Sequence, residues 1–198
     1  MNLPNKLTVG RFALTVVFLW ALFAPIPFHH TLALFFFCLA GVTDFLDGRI
    51  ARSRGLITNF GVLMDPLADK IMTCSAFIAF VESTHQSPHP PVTVEAWMVI
   101  IIVARELTIT GLRLLAASKN VVLAAERYGK HKTVSQIVAI IALLAVDAGN
   151  EWPTWLQHLL KGWMPMFAEI ALWLTVVLTA TSGILYLWRN RAFYLSDM

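Results

Sequence analysis

Six long apolar runs constrain what this chain can fold into. They lie near residues 12–28, 31–47, 67–82, 96–117, 134–148 and 166–188. Each approaches or exceeds the length a helix needs to cross a bilayer, about 20 residues. Turn-forming prolines stand between several of them: Pro25 and Pro27, then Pro88, Pro90 and Pro91, then Pro153 and Pro165. Of the 198 residues, 58% are hydrophobic and 14% charged, against roughly a quarter charged in an ordinary soluble domain. One small water-exposed globule cannot bury that much apolar surface. The same composition excludes a disordered chain, and two cysteines exclude a disulfide scaffold. The pattern predicts an all-α polytopic membrane protein with six transmembrane helices, occupying residues 1–198 as a single membrane domain.

The net charge is only +3, but its distribution is informative. Lys6 and Arg11 precede the first run; Arg49, Arg52, Arg54 and Lys70 flank the second connection. Arg105, Arg113, Lys119, Arg127, Lys130 and Lys132 surround the fourth, and Arg189 and Arg191 follow the last. With six spans, all of the 15 Lys and Arg residues except Lys161 fall on one side. The positive-inside rule makes that side cytoplasmic, with both termini on it. Residues 3–12 mix apolar and polar side chains and predict a short N-terminal interfacial helix, with a simple charged flank as the alternative. Without an Arg- and Ser-rich transit segment ahead of it, the expected location is a bacterial inner (plasma) membrane. No nucleic-acid partner is expected.

Cys38 and Cys74 lie in different runs and read as inert buried thiols. The six histidines are scattered, with no pair at zinc-ligand spacing beside a third ligand. They read as loop residues.

The carboxylates behave differently. Asp44, Asp47, Asp65 and Asp69 cluster at the adjoining ends of the second and third runs. Ionisable residues near a span are costly and are functional candidates. At about 100° per helical residue, Asp44, Asp47, Gly48, Ala51 and Arg52 share one face. Gly61, Asp65 and Asp69, each four apart, stack on another. Pro66 suits the first turn of the third helix. A short connection over 53–60 makes the two helices antiparallel neighbours, so the acidic faces can meet. Four crowded carboxylates repel unless some are protonated or cations fill the gap. Oxygen-only ligands favour Mg²⁺ or Mn²⁺, then Ca²⁺. Two such ions can clamp the oxygens of a phosphoryl displacement. The bland alternative is a set of surface acids paired with Arg49, Arg52, Arg54 and Lys70.

The pattern Asp44-x2-Asp47-Gly48-x2-Ala51-Arg52-x8-Gly61-x3-Asp65-x3-Asp69 resembles the signature of the CDP-alcohol phosphotransferases. Eight positions over 26 residues match without a departure. Asn5, Leu7, Thr8 and Arg11 resemble the N-terminal segment of the branch that acts on glycerol 3-phosphate. So do Ala104-Arg105-Glu106, Ile109, Leu112-Arg113 and Gly129-Lys130-x-Lys132-Thr133. The resemblance implies a six-helix homodimeric membrane enzyme that transfers a phosphatidyl group from CDP-diacylglycerol to an alcohol and releases CMP. It implies two divalent cations, Mg²⁺ or Mn²⁺, on Asp44, Asp47, Asp65 and Asp69, with Asp69 as general base. It also implies a CDP site shaped by Gly48, Ala51, Arg52 and Gly61.

For the acceptor, Arg113 and Arg105 on the fourth helix, with Lys132 and Lys130 opening the fifth, suit a phosphate. Glycerol 3-phosphate is the expected acceptor. The alternatives are phosphatidylglycerol or inositol phosphate with the same chemistry, or an Arg105 that simply pairs with Glu106 or a neighbouring helix while the lysines face anionic lipid headgroups. From another class, a cation channel or transporter would account for intramembrane acids. It would not account for Gly48, Ala51, Arg52 and Gly61.

Overall fold

The computed structural model describes residues 3–54, 59–86, 88–119, 121 and 128–195. Its side-chain description does not extend to 3–8, 44–54, 59–66, 69, 128–130, 192 or 195. Helices α1 (Leu3–Phe23), α2 (His29–Arg54), α3 (Asn59–Gln86), α4 (Ala96–Ser118) and α5 (Tyr128–Ala148) are followed by a 3₁₀ turn, Gly149–Glu151. Then come α6 (Thr154–Lys161), α7 (Met164–Arg189) and α8 (Arg191–Leu195). Among the described residues there is no strand.

Six long helices pack as a ring. In spatial order they run α1, α2, α5, α7, α4, α3 and back to α1, and α3 also touches α5 across the middle. Small residues allow the close approach. Ala21, Ala33, Ala40, Ala76, Ala139 and Ala168 are all fully buried, which is how helices pack where apolar burial alone does not drive association. Larger side chains fill the remaining centre, with Phe18 and Phe37 in contact at 5.6 Å between ring centroids. Phe77, Ile102, Ile140, Leu144 and Leu172 complete it.

The outer surface carries many large apolar side chains. Val16, Phe35, Ile78, Ile100, Leu107, Val134, Ile170, Val177 and Ile184 are all exposed. A water-soluble protein rarely shows so much contiguous apolar surface. Two helical stretches, His131–Glu151 and Met164–Arg189, are long and apolar enough by composition to cross a membrane. Val9–Phe23 and His29–Thr43 are shorter apolar stretches.

Four expectations are corrected. Residues 3–12 are not a separate interfacial helix. They form the first turns of α1, because Pro4 falls in the first turn, where it costs no hydrogen bond, and Gly10 is tolerated within a helix. Pro66 does not sit in a first turn. α3 begins at Asn59, drawn out by the apolar residues before Asp65, so Pro66 lies within the helix and cannot donate to the Val62 carbonyl. The connection between α2 and α3 is correspondingly shorter than 53–60. His29 and His30 are not loop residues, because they open α2. An amphipathic helix does occur elsewhere: α6 exposes Trp155 and Leu159, and Trp163 follows in the same register, the pattern of a helix lying at an interface.

Candidate active site

The acidic motif falls on two helical segments. Positions 44, 47, 48, 51 and 52 occupy the last turns of α2. Positions 61, 65 and 69 occupy the first turns of α3. The helical backbone therefore preserves the register that the spacing requires, one turn between 44 and 47 and one between 65 and 69. The side chains of Asp44, Asp47, Gly48, Ala51, Arg52, Gly61, Asp65, Asp69 and Lys130 lie outside the described residues. Four carboxylates with no nitrogen or sulfur donor among them suit a hard divalent cation by donor chemistry.

Beside this segment the described side chains build a charged hub on one carboxylate. Glu106 of α4 is 2% exposed and accepts hydrogen bonds from Lys70 of α3 and Lys132 of α5. Arg105 Nη1 donates to Glu106 Oε1 at 3.2 Å, and Gln136 Nε2 donates to the same oxygen at 3.4 Å. The hub ties α3, α4 and α5 together. Lys132 and Gln136 reach it together because they are four apart on α5. Lys132 is 4% exposed, so its charge depends on this partner. Three described cations, Lys70, Arg105 and Lys132, converge on this one carboxylate.

α7 supports the arginines. Gly183 lies where an added Cβ would come within 2.9 Å of Arg105 Cγ, so only glycine lets the arginine stem pass. One turn on, Tyr186 is 1% exposed. Arg113 Nε donates to its hydroxyl at 3.3 Å, and the guanidinium carbon lies 5.4 Å from the ring centroid. Arg113 is two helical turns, about 10 Å, from Glu106. Of the predicted acceptor residues, the structure thus gathers Arg105 and Lys132 at one carboxylate and sets Arg113 apart on Tyr186. Lys70 pairs with Glu106, a role its position beside the aspartates does not suggest. Neither that pair nor Tyr186 was legible, because nothing in the spacing of 70, 106, 132 and 186 brings them together. The signal in the chain was Glu106 next to Arg105 inside an apolar run, and the Arg105–Glu106 pairing expected as the alternative is present.

Over residues 1–181 the chain matches the family described as CDP-alcohol phosphatidyltransferase. It is 38% identical to the CDP-diacylglycerol–glycerol-3-phosphate 3-phosphatidyltransferase of Bacillus subtilis (strain 168), covering 96% of this chain and 95% of that protein. The protein of the same name from Haemophilus influenzae is 34% identical, over 94% and 91%. That from Escherichia coli K12 is 31% identical, over 96% of both.

Proposed function

The chain belongs to the CDP-alcohol phosphatidyltransferase family, and on that premise we infer that it transfers the phosphatidyl group of CDP-diacylglycerol to glycerol 3-phosphate, releasing CMP. The observation that carries this reading is the motif of eight positions on α2 and α3, in a chain whose bacterial relatives bear that activity in their names.

Asp44, Asp47, Asp65 and Asp69 would hold two divalent cations, Mg²⁺ or Mn²⁺. When bound, these supply positive charge against the pyrophosphate and its developing negative charge. Gly48, Ala51, Arg52 and Gly61 shape the CDP site, with Arg52 as a charged contact to phosphate. Asp69 accepts the proton of the acceptor hydroxyl. The freed oxygen attacks the lipid-side phosphorus, and the bond from that phosphorus to the CMP oxygen breaks with its electron pair leaving on CMP. The convergence of Lys132 and Arg105 on Glu106 supports them as ligands of the acceptor phosphate; Arg113, two helical turns from Glu106, and Lys130 would extend the same basic lining. In this reading Glu106 is a positioning residue, holding Lys132 and Arg105 rather than touching substrate.

We read α1 to α5 and α7 as six spans with both termini cytoplasmic. Each has at least 21 residues, about 31 Å of helix, against a hydrocarbon core of about 30 Å. The lysine and arginine distribution supports the orientation. The enzyme is then a single multi-pass domain of a bacterial plasma membrane, working as a homodimer, with its site at the cytoplasmic leaflet. Diacyl tails remain in the bilayer while the headgroup enters the polar site.

The test is CMP release by purified protein from CDP-diacylglycerol with a panel of alcohols, with Mg²⁺, Mn²⁺ or chelator. Metal-dependent CMP with glycerol 3-phosphate is the expected result. CMP with phosphatidylglycerol or inositol phosphate instead would overturn the acceptor assignment and keep the chemistry. No CMP from folded protein with any acceptor would overturn the transferase reading.

A further inference from the structure

The other end of α2 carries a second cluster, about 22 Å from position 44 at 1.5 Å per residue. Phe28 takes a left-handed backbone conformation, φ 61°, strained for a bulky residue, and α2 begins at the next residue. His29 Nδ1 lies 3.1 Å from the Leu22 carbonyl oxygen. A carbonyl only accepts, so Nδ1 carries a hydrogen, and in the neutral ring Nε2 is then the nitrogen with the lone pair. Metal-binding histidines are commonly held in this way. The His30 ring stacks on His29 with centroids 3.9 Å apart. Its Nδ1 is buried and has no hydrogen-bond partner.

Glu151 arrives from 121 residues further along. Its Oε2 accepts from Thr31 N at 2.9 Å and Thr31 Oγ1 at 2.6 Å. Oε1 accepts from His30 N at 3.0 Å and faces His29 Nε2 at 3.9 Å. One lone pair on Oε1 remains uncommitted. Capping of α2 by Glu151 accounts for the Oε2 bonds and one Oε1 bond. It leaves unexplained the buried ring nitrogen of His30 without a partner. One donor atom from each of His29, His30 and Glu151 lies within 4.8 Å of the other two. All three residues line a cavity of about 360 Å³ that Asp147 and Asn150 share.

We propose that His29, His30 and Glu151 form a binding site for a divalent transition-metal ion of the Zn²⁺ type, separate from the aspartates. Two imidazoles and a carboxylate favour Zn²⁺ over Mg²⁺. Bonds of about 2.0–2.2 Å require the donors to close by less than about 1 Å. Bound there, the ion ties the start of α2 to the turn after α5, and its remaining coordination position opens on the cavity.

The experiment uses the purified full chain in detergent with saturating Mg²⁺, titrated with Zn²⁺ by calorimetry and with Co²⁺ by visible absorption. One equivalent per chain is expected, with Co²⁺ bands and a raised thermal midpoint. His30→Ala and the milder His30→Gln should each weaken Zn²⁺ binding at least tenfold while keeping CMP release and the metal-free midpoint. Asp44→Asn should leave Zn²⁺ binding intact, which separates this site from the aspartates whatever becomes of the transferase reading. The absence of a Zn²⁺ equivalent in the unaltered protein would overturn the proposal, as would one that both His30 variants retain.

Discussion

Lys132 on α5 and Glu106 on α4, 26 residues apart, form an ion pair with both side chains almost wholly buried. Lys70 and Arg105 converge on the same carboxylate. Glu106→Ala should therefore remove the carboxylate that Lys70, Arg105 and Lys132 share. Breaking a buried pair from one side costs about 3–5 kcal/mol. A large fall in the thermal midpoint, read in detergent, is expected. Lys132→Met alone should cost less, since two cations still satisfy Glu106, but it should raise the glycerol 3-phosphate KM at least tenfold.

Asp69→Asn keeps shape and removes the base. General-base contributions are about 10²–10⁴-fold. Turnover should fall by at least that much, with CDP-diacylglycerol binding and thermal midpoint nearly unchanged. A fully active variant would sink the assignment.

Arg113→Ala should raise the acceptor KM far more than that of the lipid donor. Tyr186→Phe removes only the hydroxyl that receives the Arg113 bond and retains the ring beneath the guanidinium. Its effect on acceptor KM should be about 10- to 100-fold, the worth of one hydrogen bond to a charged group at about 1.5–3 kcal/mol. Equal changes in both Michaelis constants for Arg113→Ala would remove it from the acceptor site.

Gly183→Ala places a methyl against Arg105 Cγ. Because that atom is near the root of the side chain, the arginine or α7 must shift, at about 1–3 kcal/mol for overpacking. Lower stability with weakened acceptor binding is expected. Shortening the partner as well, in Gly183→Ala/Arg105→Ala, should recover the stability but not the acceptor affinity.

The helical class and the family were legible from the chain. Apolar runs longer than a strand, broken by prolines, specify helices through local geometry alone. The motif around Asp44 and Asp69 is local too, with every position within two adjoining helices. Boundaries were less legible. Residues 3–12 mix polar with apolar side chains, and 59–66 carry Gly61, Asp65 and Pro66 among apolar ones, so hydropathy placed the starts of α1 and α3 too late.

Long-range pairing is the part that could not be read. Glu106 and Lys132 meet because α4 and α5 each touch α3 within a ring of six helices, and helix order around a ring is set by the fit of alanine-rich surfaces. His29, His30 and Glu151 meet because α2 packs on α5. Local periodicity determined which segments become helices and which residues share a face. Only the tertiary packing decided which carboxylate each buried cation and imidazole would meet, because side-chain partners across helices depend on register and rotation that no single segment encodes.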